Sequence, residues 1–403
     1  MNILIFYQYF GTPKGGWSTR MYELPKRWIA NGHKVSIVTS PYDKSDIKAS
    51  GFIDKQVIDG IEVIIVNVKQ SNKHSLLYRV FTFALFSVTA IYFALSRRFD
   101  IILCSSGPIS VGLPGILAKI FRPKKKFVFE VRDLWPDGAV QLGLIKNKFL
   151  IKCAYKFEQL CYRKADLVVT CSKGMTESIV DRYDIARVLT VPNACDNEFF
   201  EKSDINFTLP QWALNKKIFL YTGSLGLMDN CVQIIKGIEL FQGEDEVFVF
   251  IGEGKEKPEL INYVRQKNLP NVFFLGLMPK TEVKSWLHEA YAAFVTFKNI
   301  PMLQTSSPNK MFDAFAAGVP IIQSTTGWIK DLVERSGCGL SVDPVSPVGM
   351  CEAIKFLSDN SDARNKMSGS AKLLAETEFN RASLAEKYLL AMNSTLKRYS
   401  KKI

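Results

Sequence analysis

Between Ser306 and Pro320 the chain spells out one helix and the start of a strand: Ser306-Ser307-Pro308-Asn309-Lys310-Met311-Phe312-Asp313-Ala314-Phe315-Ala316-Ala317-Gly318-Val319-Pro320. Ser307 is placed to cap the helix, Pro308 suits its first position and Gly318 its end, and Val319-Pro320-Ile321-Ile322 resumes as a buried strand. The same strand–turn–helix grammar recurs along the chain, which constrains it to a parallel α/β architecture. Lys310 and Asp313, three apart, share a helix face. The amides of a helix N-terminus attract phosphate, Lys310 adds a cation, and Asp313 is able to accept two bonds from a ribose diol. From these signals alone an ordinary αβ unit with a capped helix is the equally simple alternative.

The first half repeats this pattern. Strand 2–6 runs into Tyr7-Gln8-Tyr9-Phe10-Gly11-Thr12-Pro13-Lys14-Gly15-Gly16-Trp17, a helix over about 18–31 follows, and Gly32-His33-Lys34 turns the chain into strand 35–39. Gly15-Gly16 before a helix lets backbone approach a ligand, although a plain turn needs glycine too. Strand 127–131 ends in Arg132-Asp133-Leu134-Trp135-Pro136-Asp137, at the carboxyl edge where open α/β sheets bind ligands. An ion pair fixing the loop is the structural alternative for Arg132 and Asp133. In the second half, strand 218–221 feeds Thr222-Gly223-Ser224-Leu225-Gly226 and then a helix, another candidate phosphate cradle. Strand 247–251 ends in the turn Gly252-Glu253-Gly254, strand 272–275 follows, and a helical tail spans about 383–399.

Residues 80–96 form a 17-residue uncharged run between Arg79 and Arg97-Arg98. A membrane span needs about 20 apolar residues, and this run contains Thr82, Ser87 and Thr89, so a buried core helix is preferred over an embedded one. A helix lying in the membrane interface is the third reading.

The net charge of +13 is carried entirely by one half: residues 1–190 hold 28 basic and 15 acidic side chains, whereas 191–403 hold 24 of each. A one-sided excess points to an anionic partner, either membrane lipid, lipid-linked diphosphate or nucleic acid, and no nucleic-acid module accompanies it. The eight cysteines are scattered without a Cys-x-x-Cys pair, which suits reduced thiols in the cytosol, and the N-terminus lacks the features of a secretory signal. His33, His74 and His288 have no metal-binding spacing, no Asp-x-Asp follows a strand, and neither a P-loop nor a Gly-x-Ser-x-Gly elbow is present. Chemistry then rests on carboxylates, cations and backbone amides.

The 306–320 stretch resembles the donor-sugar motif of the retaining glycosyltransferases of family four, which have the GT-B fold. The Arg132-Asp133-Leu134-Trp135-Pro136 run is similar to the branch that builds O-antigen and capsule, including N-acetylfucosamine transferases. Asp313 falls on the second Glu of the family's Glu-x7-Glu signature, and Thr305 replaces the first. The basic pair common after the glycine loop is replaced by Leu227, Met228, Asp229 and Asn230.

The resemblance implies two Rossmann-like domains with parallel sheets facing a cleft: 1–190 for the acceptor, 191–380 for the nucleotide sugar, and 381–403 crossing back to the first. It implies retaining transfer from a UDP-linked, N-acetylated or deoxy sugar to a polyprenyl-diphosphate-linked or other glycan acceptor, without metal or cofactor, at the inner face of the cell membrane. Asp133, Arg132 and Lys310 would be the catalytic groups. Gly15, Gly16, Gly223, Ser224, Glu253, Pro308, Asn309, Lys310 and Asp313 would bind the donor. A nucleotide-sugar epimerase of the same fold and a non-catalytic binding module are the alternatives.

Overall fold

In the computed structural model, which describes residues 1–71, 74–201 and 207–400, the chain divides into two compact units. One is Met1–Pro192 with Ala382–Ile403, and the other is Asn193–Arg381.

The first unit is built on eight strands: β1 (Asn2–Phe6), β2 (Lys34–Thr39), β3 (Ile53–Ile58), β4 (Ile61–Val66), β5 (Ile101–Ser105), β6 (Lys126–Val131), β7 (Leu167–Thr170) and β8 (Val188–Thr190). Their order across the sheet is β3-β4-β2-β1-β5-β6-β7-β8. All pairings are parallel except β3 with β4. That exception was missed in the sequence, although its signal is there. Asp59-Gly60 joins the two strands, and both residues have positive φ (46° and 81°), the conformation a two-residue hairpin turn demands. β5, β6 and β7 are buried along their whole length, as Val- and Ile-rich strands covered by helices on both faces must be. The C-terminal helix Arg381–Ser400 belongs to this unit: Trp28 Nε1 donates to the Ala385 carbonyl at 3.0 Å and stacks edge-on against Tyr388.

The second unit carries β9 (Lys217–Thr222), β10 (Glu246–Ile251), β11 (Val272–Leu275), β12 (Ala290–Val295), β13 (Ile321–Gln323) and β14 (Gly339–Ser341), in the order β11-β10-β9-β12-β13-β14. Every pairing is parallel. Phe219, Tyr221, Phe248, Phe250 and Phe294 from the sheet pack on Ile234, Ile235 and Ile238 of one covering helix and Met350 and Ile354 of another.

Each sheet has one point where the strand order reverses direction, between β1 and β5 in the first unit and between β9 and β12 in the second. Loops leaving the carboxyl ends of the strands diverge there and open a crevice, so these are the positions at which open α/β sheets hold ligands.

Candidate active site

In the second unit the switch point brings together three segments that are far apart in sequence. The helix Asn309–Ala316 begins after Pro308 and ends before Gly318, whose φ of +69° is the left-handed C-terminal stop expected of it. Ser307 does not cap this helix. Its Oγ and its carbonyl accept the backbone and side-chain amides of Asn193, at 3.3 and 2.6 Å, because the segment entering the unit runs alongside and needs those acceptors. The helix nonetheless carries Lys310 to the glycine loop. Lys310 Nζ lies 2.6 Å from the Tyr221 hydroxyl, 3.1 Å from Asp229 Oδ1 and 4.1 Å from the Tyr221 ring centroid. A Cβ at Gly223 would sit 3.2 Å from Lys310 Cε. Gly223 and Ser224 remain exposed beside this trio.

Two glycine turns lie back to back and set the shape of the loop. Gly223 N–H donates to the Ile251 carbonyl, Leu225 N–H to the Glu253 carbonyl, and Glu256 N–H to the Leu225 carbonyl. Gly252 has φ of +147°, and a Cβ there would come within 1.8 Å of the Gly223 oxygen. Glu253 therefore contributes through its backbone, while its carboxylate turns to Lys257 at 2.6 Å.

Asp229 was not singled out as a site residue. It stands where a basic side chain is common, and it answers the Lys310 charge. Its Oδ1 is also 3.0 Å from the Tyr221 hydroxyl, and its carbonyl accepts the Thr296 hydroxyl at 2.6 Å. Burial, with Asp229 second, raises the Tyr221 hydroxyl well above its ordinary range, which keeps it protonated. Asp313, one turn beyond Lys310, is ion-paired to Lys280 at 2.8 Å. Lys280 is seated over the rings of Phe199 and Phe200. Thr305 donates its hydroxyl to the Met302 carbonyl in a short 3-10 turn.

In the first unit Arg132 and Asp133 follow β6 at the edge of the crevice. They do not form the ion pair weighed as the structural alternative. Arg132 reaches Ser18 Oγ at 3.0 Å and lies 5.4 Å from the Tyr7 ring centroid, while its own N–H is taken by Ser106 Oγ. Among the described residues no hydrogen bond or ion pair engages the Asp133 carboxylate. Desolvation by the surrounding protein pushes that carboxyl up to about 6, against the pull of Arg132. The side chain is nevertheless open to solvent, which screens that shift.

Gly15 and Gly16 pack against the segment 44–46. A Cβ at Gly15 would meet the Asp46 nitrogen at 2.9 Å. Their N–H groups are bonded to the Thr12 and Lys44 carbonyls, so these amides are committed within the unit. What remains to them is close approach. Two further features went unnoticed in the sequence. Tyr9, Trp17 and Tyr42 form an aromatic cluster with centroids 4.9 to 6.4 Å apart. Arg20 and Glu130 form a buried ion pair at 3.1 Å. Neither lies in a recognisable motif, because the residues are joined only by the sheet. Among the described residues no group of three or more His, Cys, Asp or Glu side chains is gathered as a metal site.

Residues 14–199 match the pattern of Glycosyltransferase Family 4, and 204–374 match that of Glycosyl transferases group 1. The two halves are glycosyltransferase domains. WbjE of Pseudomonas aeruginosa, described as a probable glycosyltransferase, is 25% identical over 297 residues, covering 71% of this chain and 73% of its own. A Campylobacter jejuni N-acetylgalactosaminyltransferase acting on a diphospho-undecaprenol-linked N-acetylgalactosamine–N,N'-diacetylbacillosamine is 26% identical, covering 60% and 63%. Sucrose-phosphate synthase of Thermosynechococcus elongatus superposes with a TM-score of 0.77 at 15% identity over 100% of both chains. HepE of Anabaena, solved in complex with UDP-glucose, superposes with 0.69 at 15% identity over 98% and 100%. The glycosyltransferase thus has the GT-B fold.

Proposed function

We propose that this glycosyltransferase moves a sugar from a UDP-linked donor to a polyprenyl-diphosphate-linked acceptor during assembly of a bacterial surface polysaccharide, with retention of anomeric configuration. The observation that carries the donor half is the placement of Lys310, a cation in the first turn of a helix, against an exposed glycine loop at the sheet's switch point. A diphosphate set on that loop meets the Lys310 ammonium and the N-terminal amide dipoles of the helix that carries it. HepE, with the same fold, was solved with UDP-glucose bound, which supports a uridine diphosphate donor. The Campylobacter relative's substrate supports a lipid diphosphate acceptor.

In this reading the acceptor hydroxyl attacks the anomeric carbon on the face the diphosphate leaves. The bond between that carbon and the β-phosphate oxygen breaks, and the acceptor proton passes to a departing phosphate oxygen. Lys310 stabilises the leaving charge, and the ribose diol engages Asp313 beside Lys280. Asp133, with Arg132 behind it, positions the sugar being transferred or accepted. The enzyme's contribution is orientation and electrostatic stabilisation.

The test is turnover. Purified protein, a panel of UDP-sugars and a polyprenyl-diphosphate sugar should release UDP only when the acceptor is present, with a product of retained configuration by NMR. Conversion of a UDP-sugar to its epimer without acceptor, or binding without turnover across the panel, would replace this reading.

A further inference from the structure

The segment that leaves β9, from Thr222 to Asn230, holds one acidic residue and no basic one. Lys310, the cation that reaches it from its own helix, is already countered by Asp229 at 3.1 Å. A diphosphate carries more than one negative charge. A single ammonium that divides its charge with a carboxylate leaves much of such an anion unmatched.

β9 lies between β10 and β12, so the loops leaving those two strands flank this segment. On the β12 side the Lys298 N–H donates to the Met228 carbonyl at 2.9 Å. On the β10 side the Glu256 N–H donates to the Leu225 carbonyl at 3.0 Å. The two side chains then meet, with Lys298 Nζ 3.2 Å from Glu256 Oε1. Because β9 separates their strands, this ion pair spans the segment from its Met228 side to its Leu225 side. The ring of Phe297, the residue before Lys298, is 5.4 Å from Lys310 Nζ. Two lysines therefore border one loop, Lys310 next to Gly223 and Lys298 across Leu225 to Met228.

The two ion pairs are not alike. Lys310 and Asp229 are nearly closed off, whereas the Lys298 side chain is 36% exposed and Glu256 16%. A pair this open contributes little to folding and exchanges readily for a stronger anion. Lys257, on the same β10 loop, is instead committed to the Glu253 carboxylate at 2.6 Å and the Gly252 carbonyl at 3.4 Å.

We propose that Lys298 is the second cation of the donor site: when a nucleoside diphosphate settles on the Gly223 loop, the Lys298 ammonium leaves Glu256 for a phosphate oxygen, and the diphosphate is held between Lys310 and Lys298. Glu256 is the resting counterion that the ligand displaces. This rests on the donor reading of the loop and adds to it a residue from a different strand, together with the carboxylate that opposes binding.

The test is isothermal titration of the full chain with UDP, and with uridine as the phosphate-free probe. Lys298→Gln should weaken UDP by about tenfold or more, the scale of a charge-assisted bond, and leave uridine as in the parent. Lys298→Arg keeps the charge and should recover most of that loss. Glu256→Gln breaks the same ion pair but frees the lysine, so it should tighten UDP by about two- to fivefold. A purely structural pair predicts the same direction for Lys298→Gln and Glu256→Gln, because either one breaks it. Both side chains are partly open, so the melting temperatures should hold; should Lys298→Gln fail to fold, the sign of Glu256→Gln still decides. The inference alone is overturned if Lys310→Ala weakens UDP while Lys298→Gln does not, if Glu256→Gln weakens UDP, or if Lys298→Gln weakens uridine as much as UDP. If neither lysine affects UDP, or the parent chain does not bind it, the donor reading of the loop falls and this inference falls with it.

Discussion

Lys310 meets Asp229 before it meets any ligand, and the two side chains are about one-tenth exposed. In the proposed function an incoming diphosphate shares the ammonium with that carboxylate and is repelled by it. Lys310→Ala is therefore expected to weaken UDP by about 1.5–3 kcal/mol, the scale of a charge-assisted bond. Asp229→Asn keeps the shape and removes the repulsion, so it should tighten UDP by about 1 kcal/mol. Isothermal titration reads both. Equal affinities in the parent and the two variants would remove the donor site from this crevice. Asp133 supplies the pH dependence. With its carboxyl near 6, the carboxylate that the proposed function uses to orient a sugar is present above that pH and lost as pH falls through it. The kcat/KM profile should fall on its acid side with an apparent pKa near 6, and Asp133→Asn should be slow and flat across that range. Glu158, also raised to about 6 by burial, is held by Tyr162, Tyr183 and Arg182 and leaves that limb in place.

At the scale of elements, the Gly223 loop is one of two glycine turns that shape each other. Gly252 occupies φ of +147° and leaves no room for a methyl group against the Gly223 oxygen. Gly252→Ala should cost at least about 2 kcal/mol through backbone strain and overpacking, and should also move the Gly223 loop away from Lys310. Thermal unfolding and UDP titration on the same sample check this together. A variant that melts and binds like the parent would show that the second turn does not support the first.

At the scale of the molecule, the buried Arg20–Glu130 pair ties the first unit to the chain that leaves it. The Arg20 guanidinium bonds Glu130 Oε2 and also the carbonyls of Val191 and Pro192, at 2.9 and 2.7 Å. Glu130 takes a further bond from Ser105 on β5. Glu130→Ala leaves a guanidinium buried without its counterion, which typically costs about 3–5 kcal/mol. Urea unfolding should register that loss, and a change below about 1 kcal/mol would mean the pair is not a structural joint.

Alternating buried strands, glycine turns and helix starts sufficed to read two parallel α/β halves. Those signals are local and repeat at every βα unit, and the 306–320 stretch marked the helix that brings Lys310 to the glycine loop. The β3–β4 hairpin was legible in Asp59-Gly60 and was passed over. Pairings across the sheet were not legible, because residues 81 or 110 positions apart meet only after the strands align. Thus Asp229 beside Lys310, Lys280 beside Asp313 and Glu130 beside Arg20 were decided by tertiary structure. So was the use of Ser307 by Asn193, where a distant backbone donor outcompeted the local cap. The 80–96 run states the point most simply. Composition determined that it is an apolar helix, but only packing against its own unit decided which face is buried and which is left exposed.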